Sequence, residues 1–244
     1  MKKMFSLVLA LSLLLSLSTT GYAAVEDDCN NITIDVSEEH LYYDKELGTN
    51  VVAFTINSDG TVNYLSKEEA DAITAQAGHD DNIEQHIIHD TDESLVRPYD
   101  YRQWYEFVQT SGPTKYVGSV KKVSADLEAP AGGGSISKNV SYTSTHFFSA
   151  SITTTSQKNA IEAGASIGWE ESASTSTTYT VNLLAGQKGY IGFYPYYNKV
   201  VGDLELYGNW GDGLISTTKN VAGYSVMLTD GGEADGLFKF IELP

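Results

Sequence analysis

The stretch of sequence that decides the fold class runs from Ser135 to Leu183 and reads SISKNVSYTSTHFFSASITTTSQKNAIEAGASIGWEESASTSTTYTVNL. Twenty of its residues are Ser or Thr. Hydroxyl side chains compete with the backbone for hydrogen bonds in a helix, and Thr is enriched in strands. An ordinary soluble helix over the whole stretch is therefore excluded, and the stretch predicts antiparallel β-strands.

Polar and apolar side chains alternate along this stretch with a period of two, which is the period of a strand. The alternation predicts a Ser/Thr-rich hairpin within 135–183, with a polar tip at 156–159. The polar face of the return arm continues from Ser172 to Thr180, opposite Ala173 to Val181. The apolar face comprises Phe148, Ala150, Ile152, Ile161, Ala163, Ala165, Ile167 and Trp169.

A competing interpretation places a short helix over 159–164, because Ala160, Ile161, Glu162 and Ala163 do not as a group prefer strands. If the hairpin interpretation holds, the eight apolar-face residues are the candidates for membrane insertion. A membrane-spanning strand needs about 9–11 residues of such alternation. Small uncharged side chains let such a segment remain in water before it inserts.

The pattern over residues 135–200 resembles the aerolysin-like β-pore-forming proteins. That resemblance covers about a quarter of the chain and rests on the alternation, without a diagnostic motif. It implies a secreted, elongated, β-rich protein that binds a membrane or a cell-surface receptor and forms homo-oligomers. It also implies that the Ser/Thr hairpin becomes the pore wall. The alternative is a non-enzymatic extracellular binding or structural module, whose exposed sheet has the same alternation.

The rest of the chain predicts a small mixed α/β part at 24–95 and a β-rich domain at 96–244. Strands are expected at 51–56 and 61–65 around a turn, and Ser66 with Glu69 predicts a helix-capping box. Gly112-Pro113 is expected to interrupt a strand, and Glu128–Gly134 has the composition of a linker or hinge. Further strands are expected at 115–123, 188–201, 221–228 and 237–243. The fold class is all-β, with elongated antiparallel sheets or a sandwich.

The first 23 residues predict a secretory signal peptide. Lys2 and Lys3 precede an apolar run from Met4 to Leu17, which is short for a membrane span. Small residues at Gly21 and Ala23 favour cleavage after Ala23, with Ala24 as the alternative. We therefore expect a secreted, extracellular protein.

The composition limits the classes of partner. The chain has 32 acidic and 15 basic residues and a formal net charge of −17. Such a charge repels nucleic acid phosphates and anionic headgroups, so we expect no nucleic acid partner. Cys29 is the only cysteine, which excludes an intramolecular disulfide.

No pattern in the chain predicts an enzyme or a cofactor. Gly164–Gly168 matches the G-x-S-x-G sequence of hydrolases, but no apolar strand precedes it and no histidine follows Ser166. Residues 79–89 contain three histidines among carboxylates, and Asp230–Gly236 is an acidic, glycine-rich loop. Both segments contain metal-ligand types, but a solvated loop is the preferred interpretation of each, and no metal site is predicted.

Overall fold

The computed structural model describes residues 32–57, 59–75, 101–209 and 213–244. The expected signal peptide and the histidine segment at 79–89 lie outside the described residues. Residues Asn31–Pro244 form one compact unit. The predicted fold class is confirmed, because the described part is mostly strand and its large sheets are mainly antiparallel.

The described strands are β1 Ile32–Val36, β2 Tyr42–Asp44, β3 Thr49–Ile56, β4 Val62–Leu65, β5 Gln103–Val117, β6 Lys121–Lys122, β7 Leu127–Glu128, β8 Gly134–Thr145, β9 Phe147–Phe148, β10 Ser172–Leu183, β11 Lys188–Gly208, β12 Gly213–Val226 and β13 Gly236–Glu242. The described helices are α1 Lys67–Thr74 and α2 Thr155–Gly164.

The strands form two sheets around a shared core. The larger sheet has ten strands, with the order β2-β3-β13-β11-β12-β9; β4 adds to β3, and β5, β6 and β7 add to β11. The smaller sheet has the order β1-β10-β8. Tyr142 and Tyr179 of the smaller sheet contact Phe193 and Phe238 of the larger one, with ring centroids 4.2 to 6.1 Å apart. The two sheets therefore share a sandwich-like aromatic core.

Strand β11 is 21 residues long and changes partners halfway along its length. Its first half, Gly189–Pro195, pairs with β13, and its second half pairs with β5 and β12. The three strands β5, β11 and β12 therefore continue as a sheet beyond the aromatic core. The second half of β11 supplies the surface on which the candidate site rests.

The N-terminal elements are part of the same two sheets. The predicted hairpin is confirmed as β3 paired with β4, and Ser66 and Glu69 form the predicted capping box of α1. β3 also pairs with β13, and β1 pairs with β10 in parallel. Residues before and after position 95 therefore share their hydrogen-bonded sheets.

Two local expectations are wrong. Gly112-Pro113 lies inside β5, and the strand continues past it through an irregular register opposite Val201 and Gly202. The broken backbone pairing is absorbed by that irregularity, so no break follows. Residues 129–133 form a hydrogen-bonded turn between β7 and β8, in which the Gly133 N–H donates to the Pro130 carbonyl. That segment joins strands of one compact unit and does not separate domains.

Candidate functional site

The strands β8 and β10 form a long antiparallel pair, which we call the Ser/Thr ladder. Twelve residue pairs, from Ser172 with Thr145 to Leu183 with Gly134, follow one uninterrupted register. On the exposed face the hydroxyls of Thr143 and Ser174 lie 2.8 Å apart. Two further hydrogen bonds cross the ladder on this face, from Ser135 to Asn182 and from Ser176 to Asn139. Cross-strand hydroxyl pairs of this kind stabilise a sheet whose outer face has almost no apolar side chains.

The other face of the ladder is buried. Val140 and Tyr142 of β8, with Tyr179 and Val181 of β10, pack into the core between the sheets. The predicted alternation from Ser172 to Val181 is therefore confirmed, with the odd positions directed inward.

Residues 146–171 connect the two strands of the ladder, and we call them the docked segment. The prediction of continuous hairpin arms fails here, because helix α2 occupies Thr155–Gly164. The competing helical interpretation is correct, although the helix starts four residues earlier than 159. Thr154 and Gln157 form a capping box that satisfies backbone donors at its first turn. This local signal was present in the sequence but was not recognised.

Helix α2 lies against the sheet formed by β5, β11 and β12. Ile152 and Ile161 are buried in a cluster with four apolar residues of that sheet. Those four residues are Phe107, Val200, Leu204 and Val221. Gly223 makes the close approach possible, because a Cβ there would lie 2.9 Å from Ile161 Cγ2 and 2.8 Å from the Trp169 ring. A glycine within a strand is a sequence signal for such a contact.

Hydrogen bonds hold both ends of the docked segment to the same sheet. The Ser149 N–H donates to the Ala222 carbonyl (2.9 Å), and the Ala222 N–H donates to Ser149 Oγ (3.0 Å). The Ser166 N–H donates to Gln109 Oε1, 2.8 Å away. These contacts with β5 and β12 replace the strand pairing that the alternation predicts.

The eight insertion candidates do not share a face in this arrangement. Ile152 and Ile161 are buried, and Ala150 and Ala163 are exposed. The other four, Phe148, Ala165, Ile167 and Trp169, are half-buried against the same cluster. The helix changes the period from 2 to 3.6, which separates residues that a strand would align.

The ladder register extends into the base of the docked segment. The His146 N–H donates to the Glu171 carbonyl at 2.7 Å, and these two residues are the next pair after Thr145 and Ser172. Two pairs further, the rings of Phe148 and Trp169 stack with centroids 5.4 Å apart and planes 11° apart. The base of a longer hairpin is therefore present in the structure.

Two features show that the docking is not optimised. The Trp169 Nε1–H is buried and has no hydrogen-bond acceptor among the described residues. Burial also raises the pKa of Glu162; nearby His146 and Lys158 lower it, and Glu171 raises it further. An unsatisfied buried donor typically costs about 1–3 kcal/mol.

The remaining sequence candidates do not form sites. Ser166 follows helix α2 and lies in a loop, whereas a nucleophile elbow needs a strand before the serine and a helix after it. Asp230–Gly236 forms the turn between β12 and β13, closed by a hydrogen bond from the Thr229 N–H to the Glu233 carbonyl. Within 32–57, 59–75, 101–209 and 213–244, no group of three or more His, Cys, Asp or Glu side chains comes together.

Neither described helix has the length and apolar character needed to cross a bilayer. Comparisons with protein-family models, curated proteins and solved structures found no match for this chain. The functional argument therefore depends on the chain's own geometry.

Proposed function

We propose that this is a secreted, membrane-interacting protein in which the docked segment leaves its sheet and extends the Ser/Thr ladder into a membrane-inserting hairpin. The single observation that supports this proposal is the continuity of the ladder register across the docked segment. A non-enzymatic extracellular binding module is the function that remains if this rearrangement does not occur.

Extending the register places His146–Ser156 opposite Ile161–Glu171, with 157–160 as the tip. Each arm then has 11 residues, which matches the roughly 9–11 residues of a membrane-spanning strand. In this register Phe148 lies opposite Trp169, Ala150 opposite Ile167, and Ile152 opposite Ala165. All eight insertion candidates then share one face.

That shared face continues the buried face of the ladder. Val140 and Tyr142 occupy even positions of β8, as Phe148, Ala150 and Ile152 do in the first arm. Hydroxyl residues such as Ser149 and Ser151 continue the exposed face, and Phe147 is an exception at the base. One register therefore aligns the polarity of the ladder with the polarity of the new arms.

The energetics favour the docked form in water and the extended form in lipid. Burying Ile152 and Ile161 stabilises docking by about 1.5–3 kcal/mol per side chain. Hydrocarbon rewards burial of the same side chains and of the half-buried Phe148 and Trp169. A lone hairpin in lipid would leave backbone groups unpaired along both edges, which costs several kcal/mol per group. Several copies must therefore associate, so the proposal includes a homo-oligomer.

The test is a disulfide that holds the docked segment to β12. Ser149 and Ala222 are opposed across the β9–β12 pairing, so Ser149→Cys with Ala222→Cys can bridge them. Cys29→Ser removes the native thiol. We expect the oxidised protein to release no dye from phosphatidylcholine–cholesterol vesicles and no haemoglobin from erythrocytes, and reduction to restore release.

The matched control is a disulfide within the ladder. Thr143→Cys with Ser174→Cys joins register partners that stay paired in both forms, so its oxidation should leave release unchanged. Equal release by the oxidised Ser149–Ala222 variant and wild type would contradict the rearrangement. No release by wild type from either target would leave the binding-module alternative.

A further inference from the structure

The sheet formed by β5, β11 and β12 has a second face, opposite the one that α2 covers. Leu204 and Phe107 point toward α2, so their strand neighbours point the other way. Tyr207 pairs with both Trp104 and Leu214, which makes one cross-strand row. The next row contains Glu106, Glu205 and Thr217, and beyond it lie Val108 and Asp203. We call these eight residues the aromatic face.

The aromatic face presents large apolar side chains to solvent. Trp104 is 42% exposed, Val108 48% and Leu214 50%. The rings of Trp104 and Tyr207 are nearly parallel, with planes 15° apart and centroids separated by 5.8 Å. A broad patch of this kind on a folded surface usually marks a recognition site.

Carboxylates fix the orientation of both rings. Trp104 Nε1–H donates to Glu106 Oε1 at 2.8 Å, and the Tyr207 hydroxyl donates to Glu205 Oε2 at 2.6 Å. The hydrogen bond to Glu205 raises the pKa of Tyr207, with smaller contributions from burial and from the charges of Glu205 and Glu106. Each carboxylate accepts one ring donor and has a second oxygen that can accept another hydrogen bond.

We propose that the aromatic face binds a neutral pyranose ring of a glycan. The C–H face of the sugar packs on the Trp104 and Tyr207 rings, and its hydroxyls donate to Glu106, Glu205 and Asp203. The near-parallel rings favour a flat ligand over a quaternary ammonium ion, which is best held between aromatic walls set at large angles. Three carboxylates and the net charge of −17 exclude sialylated or sulfated sugars.

The site does not depend on the proposed membrane activity, because none of its residues belongs to the docked segment or the Ser/Thr ladder. The two proposals can therefore fail separately. Loss of sugar binding leaves a vesicle assay unaffected when no glycan is present on the vesicles.

The test is saturation-transfer NMR with methyl β-D-galactopyranoside, methyl β-D-glucopyranoside and methyl α-D-mannopyranoside, with choline chloride as the competing ligand class. We expect transfer to the ring C–H protons of at least one glycoside. Trp104→Ala should weaken that glycoside's affinity about tenfold or more, equivalent to about 1.4 kcal/mol. Glu205→Gln retains the shape of the site and should weaken binding severalfold.

Tyr43→Ala is the matched control, because Tyr43 is an exposed tyrosine (56%) on β2 and outside the aromatic face. It should leave glycoside binding unchanged, and circular dichroism should show all variants folded. The inference is overturned if wild type binds none of the three glycosides or binds choline in their place. Unchanged glycoside affinity in Trp104→Ala and Glu205→Gln overturns it equally.

Discussion

Phe148 and Trp169 stack on each other in the docked segment, and the same two residues are direct partners when the ladder register is extended. The aromatic pair therefore needs no new partner when the helix between its members unwinds. With the His146–Glu171 hydrogen bond, it supplies the costly first steps of a hairpin in advance. Extension would then proceed pair by pair from an existing base.

Ala150→Arg and Ser151→Arg test which face inserts. Both residues are exposed in the docked form, so we expect each change to alter folding stability by no more than about 0.5 kcal/mol. In the extended hairpin Ala150 faces lipid near mid-depth, where Arg costs about 2–4 kcal/mol. Ser151 lies on the opposite face.

Dye release should therefore fall strongly for Ala150→Arg and little for Ser151→Arg, while thermal unfolding stays the same for both. Equal release by the two variants would show that the alternation does not set the lipid-facing side.

Ile161→Ala tests how tightly α2 is docked. Ile161 is fully buried between the helix and the sheet, and its truncation should weaken docking by about 2–5 kcal/mol. Hydrogen exchange should become faster within 155–164 and remain slow in β11 and β13. Ala163→Ser, an exposed change on the same helix, is the control and should leave exchange rates unchanged. Uniformly faster exchange throughout the chain would mean that the docked segment does not open independently.

The Asp44–Lys239 pair tests the core of the larger sheet. Lys239 Nζ donates to Asp44 Oδ2 at 2.7 Å, and both residues are almost wholly buried. Removing one partner of a buried pair leaves an unpaired charge, so Asp44→Ala should destabilise the protein by about 3–5 kcal/mol. Urea unfolding at pH 7 measures this change. Asp71→Ala breaks the exposed pair with Lys67 and should cost less than about 1 kcal/mol.

The same pair predicts a pH dependence. Burial alone would raise the pKa of Asp44, but the hydrogen bonds from Lys239, Leu47 and Glu46 outweigh it and lower the pKa below 3.8. The stabilisation is therefore complete above pH 3.8 and is lost as the pH falls through the lower, folded-state pKa. The urea midpoints of wild type and Asp44→Asn should converge as the pH falls from 4 to 2. A gap that stays constant over that range would argue against this assignment.

The signal peptide gives a prediction that is independent of the fold. Mass spectrometry of exported protein should find a mature N-terminus at Ala24, or at Val25 if cleavage follows Ala24. The physical basis is the small side chains at Gly21 and Ala23, which fit signal peptidase. Intact Met1 in the extracellular fraction would disprove it.

Local sequence signals were sufficient wherever neighbouring residues impose the structure. The β3–β4 hairpin follows from a turn between two apolar runs, and α1 follows from the Ser66–Glu69 capping box. The buried and exposed faces of β10 follow from a period of two. In each case the deciding interactions join residues that are close in the chain or share one strand face.

The docked segment could not be predicted in the same way, because its sequence is compatible with two structures. Residues 148–169 alternate as a strand would, and they also contain the Thr154–Gln157 capping box of a helix. The sequence by itself determined an all-β fold, the two faces of the ladder and the eight residues that can share an apolar face. Only the tertiary structure decided that α2 forms, because Ile161 is buried against Phe107, Leu204 and Gly223. Those partners are distant in the chain, and a local pattern has no information about which distant surface will cover it.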